Sequence, residues 1–162
     1  MLRINRQTDY TVRVVLALSK KPKGTRLPTS QIGSEMLIPP ALLPRIVAEL
    51  AAGGFIETQA GRDGGISLAR DPKHITFLQI VEHCEGELYL SDCVIKPDEC
   101  PFQRKCPVHC QWIRLKNILR DEMSRITFQQ LVEEGEQIAC ASYHPEPASA
   151  PTGIPLAVDF PA

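Results

Sequence analysis

No stretch of this 162-residue chain stays apolar for anything near 18 residues in a row, a run of about that length being what an ordinary membrane-spanning helix needs. The opening MLRINRQTDY lacks the apolar segment of a secretory signal, so the expected compartment is the cytoplasm. A nucleotide-binding glycine fingerprint is missing. So is any legible pairing of a nucleophile with a base, and no internal repeat is visible. No catalytic residues are therefore assigned, and the chain is not expected to be an enzyme. Net charge is nearly absent too, at −1. What is present is enough apolar matter for a core, 43%, and a length that suits one main domain with an appendage.

The small net charge conceals an asymmetry. Residues 1–70 hold ten Lys and Arg against five Asp and Glu, a balance of +5, and the remainder holds eight against fourteen, or −6. A basic half joined to an acidic half points the first toward a polyanion.

Tyr10, Val14, Val15 and Leu18, within residues 9–20, have helical spacing, and Thr8 or Asp9 is placed to cap the start. KKPKGTRLP breaks the pattern. Thr29 or Ser30 can cap a short helix through Ile32 and Met36. A further helix is expected from Pro40 or Ala41 to Ala52, with Leu42, Leu43, Ile46, Val47 and Leu50 apolar; Pro44 is tolerable only in its first turn. Residues 55–58 and 66–68 alternate like two short strands about the glycine-rich tip AGRDGG. Another helix is expected over 75–84, a loop over roughly 85–106, and a long helix over 107–126 with Trp112, Leu115, Ile118, Leu119, Met123 and Ile126 near one face. Thr127 can cap a last short helix, FQQLVEEG. From about residue 141 the chain is rich in proline and small residues and is expected to be disordered.

Helix, short helix, turn, helix and hairpin, in a chain that is otherwise mainly α, is the order of a winged helix-turn-helix. A helix fits the major groove of double-stranded DNA, and a basic glycine-rich tip can lie over a phosphate or enter the minor groove. The expected reading helix is 41–50, with Ala41, Leu42 and Arg45 toward the groove and Arg62 in the wing on backbone or minor groove. Arg6, Ser30 and Gln31 are candidates for phosphate contact.

The acidic half carries CVIKPDECPFQRKCPVHC, in the spacing Cys-x6-Cys-x5-Cys-x2-His at Cys93, Cys100, Cys106 and His109. In a reducing compartment such cysteines serve as ligands or reactive thiols rather than disulfides. Structural zinc sites use tighter Cys-x2–4-Cys knuckles, which only Cys106 with His109 or Cys110 approaches. The wider spacing suits a bulkier iron–sulfur cluster; zinc and a metal-free thiol switch are the alternatives. Three candidates stand for the fourth ligand: His109, Cys110, and Asp9 reaching in from a second subunit. Cys84 and Cys110 are expected to be buried as small apolar residues, and Cys140 to be incidental.

RQTDYTVR near the start, AGRDGGISLARDPKHIT at the wing, and the triple-cysteine loop together resemble the BadM/Rrf-two family of bacterial transcription regulators, with IscR-, NsrR- and RirA-like members, over about residues 1–135. The resemblance implies a homodimer in which the long helix packs against its twin, a palindromic operator, and an iron–sulfur cluster (4Fe–4S or 2Fe–2S) on Cys93, Cys100 and Cys106. Thr8-Asp9-Tyr10 is similar to the nitric-oxide-sensing members, where an aspartate here ligates a 4Fe–4S cluster across the dimer. Cys106-x2-His109 is similar to the cluster-assembly regulators, where a histidine completes a 2Fe–2S site. The first gap, six residues, departs from both. The implied organisation is a winged helix-turn-helix over 1–84, a cluster loop over 85–106, a dimerisation helix and C-terminal helix over 107–136, and a tail over 137–162. The implied function is regulation of transcription in response to nitric oxide, redox state or iron supply. A redox carrier or a zinc-stapled module is the competing expectation.

Overall fold

A computed structural model describes residues 4–61, 64–102 and 105–140. The first helix, α1 (Arg6–Ser19), starts on Asn5, whose side chain accepts from the Thr8 amide at 2.8 Å. The expected caps Thr8 and Asp9 thus lie one turn inside. Asparagine performs the same task, satisfying an amide that has no carbonyl partner within the helix. Along α1, Tyr10, Val14, Val15 and Leu18 are buried as their spacing requires.

The second helix, α2 (Thr29–Glu35), carries no side-chain cap, and Thr29 is its first helical residue. Entry is set instead by Leu27, which exchanges two backbone hydrogen bonds with Ile66, at 2.9 and 3.0 Å. Residues 39–42 form a turn closed by the Leu42 amide on the Pro39 carbonyl at 3.0 Å. The third helix, α3 (Leu43–Ala52), therefore starts two residues later than Ala41, and Pro44 sits in its first turn, where the missing N–H costs nothing. Gly33 lets α2 approach α3, since a Cβ there would lie 2.6 Å from Leu43 Cδ1.

Strands β1 (Ile56–Gln59) and β2 (Gly65–Leu68) pair antiparallel, with Ile56 opposite Leu68 and Gln59 opposite Gly65. Leu27 adds a one-residue third strand on the far side of β2. Arg62, at the wing tip, lies outside the described residues.

Thr76 and Gln79 form a reciprocal capping box that starts α4 (Phe77–Glu85). The region expected as plain loop contains a short helix, α5 (Asp92–Ile95), and a 3-10 turn at Pro97–Glu99. The long helix α6 (Pro107–Arg125) follows. Thr127 caps α7 (Phe128–Cys140) as expected, exchanging hydrogen bonds with Gln130, and the helix runs beyond the short one anticipated. Residues 141–162, expected to be disordered, lie outside the described residues, as does the side chain of Cys140.

The helix starts of α4 and α7 are pinned together: the Phe77 amide donates to the Ile126 carbonyl at 2.8 Å and the Phe128 amide to the Ile75 carbonyl at 3.0 Å. Phe128 is thereby driven into the main core with Val14, Ile32, Ile46, Leu50, Ile66 and Ile80. A second, smaller core joins α4 to α6 through Val81, Leu88, Met123 and Leu119. The single apolar face expected of α6 is in fact split. Leu119 and Met123 turn inward, while Val108, Leu115 and Ile118 stay exposed.

Candidate functional site

Two regions carry the candidate residues, and α4 lies between them in the chain. The first is the reading head. Ala41 and Arg45 are exposed and Leu42 is half-buried, all at the start of α3. Ser30 and Gln31 stand exposed on the first turn of α2, with Gln31 Nε2 donating to Glu35 Oε1 at 2.7 Å. Arg6 is placed elsewhere: it lines a cleft of about 500 Å³ between α1 and α4, with Asp9, Val12, Arg13, Phe77 and Val81.

The basic surplus of the head is not all available to a partner. Arg13 pairs with Asp9 at 2.8 Å and donates to the Met36 carbonyl at 3.4 Å. Arg70 lies over the Phe55 ring and donates to the Gly54 and Gly53 carbonyls at the end of α3. Lys20, Lys21, Lys23, Arg26 and Arg45 are exposed and make no ion pair among the described residues. Four of these five sit in the break KKPKGTR. By its turn chemistry that break is only a loop; its four cations without an acid are the signal in the sequence for a polyanion-facing surface.

The second region is the cysteine loop. Cys93 lies on α5, 3.2 Å from Ser91 Oγ; Cys106 is the residue that starts α6; Cys93, Cys100 and Cys106 are all partly buried and free of disulfides. His109 is 9% exposed, and its Nδ1 is buried with no hydrogen-bond partner among the described residues. An orphaned ring nitrogen in such a place costs free energy unless something meets it. Three sheltered thiols and that nitrogen are a donor set that fits a thiolate-bound cluster or zinc. Among the described residues, however, no three Cys, His, Asp or Glu side chains converge as a metal-holding group. Asp9 is engaged by Arg13, and no cysteine lines its cleft among the described residues.

Cys110 corrects an expectation: it is exposed on α6 rather than buried, because the helix rotates it away from the side that packs on α4. Cys84 is partly buried on α4, and desolvation pushes its thiol above the usual range, with Thr11 and Thr8 opposing as hydrogen-bond partners.

Charged contacts tie the entry of the loop to α6. Glu87 takes Lys116 at 3.2 Å and Arg120 at 3.3 Å, and Arg120 also reaches Glu82 at 2.8 Å. The Tyr89 hydroxyl donates to Glu87 Oε2. On the other side, α4 holds the head. Glu85 accepts from the Asn5 amide and the Thr8 hydroxyl, and the His83 ring lies 2.9 Å from the Glu49 carbonyl of α3.

The family model described as Rrf2, Iron-dependent Transcriptional regulator, matches residues 4–134. The chain belongs to the Rrf2 family. It is therefore a DNA-binding transcriptional regulator and not an enzyme. Among its relatives, the NsrR regulator of Shouchella clausii is 29% identical over 134 residues, covering 82% of this chain and 84% of that protein. NsrR of Bacillus subtilis is 29% identical over 145 residues, covering 85% and 94%. Of solved structures, CymR, the global cysteine regulator of B. subtilis, superposes with a TM-score of 0.69 at 23% identity, over 83% of this chain and 98% of that one. IscR of T. potens gives 0.69 at 19% identity, over 86% and 93%. The fold is accordingly the Rrf2 winged helix followed by the long helix α6. No described helix is long and apolar enough to cross a membrane.

Proposed function

We propose that this Rrf2 regulator is switched by an iron–sulfur cluster on Cys93, Cys100 and Cys106. The observation that carries it is the donor set of this segment: three half-buried free thiols in the loop and, on the first turn of α6, a buried imidazole nitrogen with no partner among the described residues. His109 stands first as fourth ligand for that reason; Asp9 of a second copy stands next. A cluster, when bound, supplies an inorganic core that oxidation, nitric oxide or iron shortage destroys. The chain's own residues then do the coupling. Glu87, Lys116 and Arg120 hold the loop to α6, and Glu85 and His83 hold α4 to the head. A loop that gathers its thiols shifts α4, and with it α3, a two-state coupling worth typically about 1–3 kcal/mol.

In this reading residues 1–84 form the head, 85–106 the sensor loop, and 107–136 the element that pairs two copies. The exposed Val108, Leu115 and Ile118 of α6 suit a homodimer interface. Two heads then meet palindromic half-sites about one helical turn apart, with Ser30, Gln31, Arg45 and Arg62 on the duplex and Arg6 in reserve at the α1–α4 cleft.

The test is anaerobic purification with iron and acid-labile sulfide measured, followed by Cys93→Ala, Cys100→Ala and Cys106→Ala. Each is expected to abolish the cluster's visible absorption. Iron-free, colourless protein that binds its operator as tightly as the air-exposed form overturns the proposal. A second reading is a thiol switch without metal. It is favoured by the failure of the ligand side chains to converge among the described residues, and it predicts oxidant-dependent binding with no iron.

A further inference from the structure

The turn into the reading helix contains a leucine that its own backbone does not favour. Leu37 has φ +53 and is 80% exposed. It occupies the left-handed position after α2, with the Ile38 amide on the Gly33 carbonyl at 2.9 Å and the Leu37 amide on the Ser34 carbonyl at 3.5 Å. Glycine is the ordinary resident of that position, because a Cβ there crowds the following carbonyl. A large apolar side chain that is both strained and solvated points to something that covers it.

Its surroundings say what that is. From Met36 to Ala52 only Arg45 and Glu49 have polar side chains. Glu49 is half-buried and accepts from Gln7 Nε2 at 2.7 Å. Pro39, Pro40, Ala41 and Pro44 are exposed, like Leu37. A helix-turn-helix meets base edges with the start of its reading helix. Here that start offers hydrocarbon and one guanidinium. In the major groove the apolar feature is the C5-methyl group of thymine, and the natural partner of an arginine fork is guanine.

We propose that this head selects its site chiefly through thymine methyl groups, met by Leu37, Pro40 and Ala41, with Arg45 as the one hydrogen-bonding reader of its reading helix. The proposal rests on the DNA-binding function above and specifies the code by which it acts. Half-sites are then rich in A·T pairs around one guanine, and specificity depends on methyls rather than on amide or carboxylate contacts.

The experiment starts from a duplex selected out of a random-sequence pool by the native, anaerobically purified protein. Each thymine is replaced in turn by deoxyuridine, which removes only the methyl. At one or more thymines in each half-site, affinity is expected to fall roughly fourfold per methyl. Leu37→Gly, whose backbone suits the turn, is expected to keep or raise Tm while binding the thymine duplex several-fold more weakly. Leu37→Gly or Ala41→Gly should also lose the distinction between thymine and uracil at the position it contacts. Uniform tolerance of deoxyuridine, or discrimination unchanged in both variants, overturns the proposal. So does a Leu37→Gly protein that binds DNA normally but fails only in transcription with purified RNA polymerase, which would assign the patch to a protein partner. If the native protein enriches no duplex at all, the DNA-binding function itself has failed, and that result is distinct from the others.

Discussion

Gly65→Ala tests how the wing is fastened to the helix-turn-helix. Gly65 has φ +154, and a Cβ on it would lie 2.5 Å from the Leu27 carbonyl oxygen and 2.9 Å from its carbon. Both obstacles are backbone, so no rotamer change relieves them. Alanine must open the Leu27–Ile66 pair, which holds two hydrogen bonds. Losing two such bonds costs about 2 kcal/mol, and the unfavourable φ adds about 1 kcal/mol. For a chain of this size each kcal/mol moves Tm by about 2–4 °C, so a fall of about 6–12 °C is expected. Gly24→Ala is the control. It shares the positive φ, +83, but its Cβ meets nothing within 4 Å. It should lose only about 1 kcal/mol, for backbone strain alone. Calorimetry or circular dichroism on both variants, matched for metal content, separates steric contact from strain. A Gly65→Ala protein melting within about 2 °C of Gly24→Ala would refute the Leu27–Ile66 bridge as a structural fastening, since a penalty below about 1 kcal/mol leaves no room for two broken hydrogen bonds. Leu27 lies two residues before α2, so operator affinity should fall along with stability.

Phe128→Ala, at a fully buried side chain, should cost about 3–5 kcal/mol, with Phe128→Leu costing distinctly less; equal urea midpoints for wild type and Phe128→Ala would show that α7 is not docked. Glu87 has its carboxyl held below its usual 4.5, first by the Tyr89 hydroxyl and then by Lys116. Its contribution is therefore present above that value and lost as pH falls through the lower folded one. Glu87→Gln should consequently narrow the gap in Tm between neutral and acidic buffer, and an unchanged gap would remove the residue from the acid response. Maleimide should label exposed Cys110 well before Cys84, whose thiol is pushed up by burial. Mass spectrometry of partially labelled, metal-free protein checks the order, and early modification of Cys84 would contradict its packing against α1.

Pro44 correctly confined the start of α3, because its missing N–H is harmless only in a first turn. The start itself moved to Leu43, because the preceding turn closes on Pro39. On α1 the cap moved to Asn5, since several polar residues in a row can each cap and only the path of the chain chooses among them. The α6 stripe looked like one face by period alone. Packing against Val81 and Leu88 claimed Leu119 and Met123 and left Leu115 and Ile118 outside. Cys110 is exposed for the same reason: spacing does not reveal which side of a helix finds a neighbour.

By itself the sequence determined the order of the main helices and of the hairpin, the basic head, the thiol-rich loop and the family, because periodicity, charge and ligand spacing are local properties carried by neighbouring residues. Only the tertiary structure decided that Leu27 would stitch the wing to α2, that the starts of α4 and α7 would share backbone hydrogen bonds, that Leu37 would stand strained in solvent, and that the His109 ring nitrogen would be buried without a partner among the described residues. Those outcomes depend on contacts between segments far apart in the chain, and no window of adjacent residues contains both halves of such a contact.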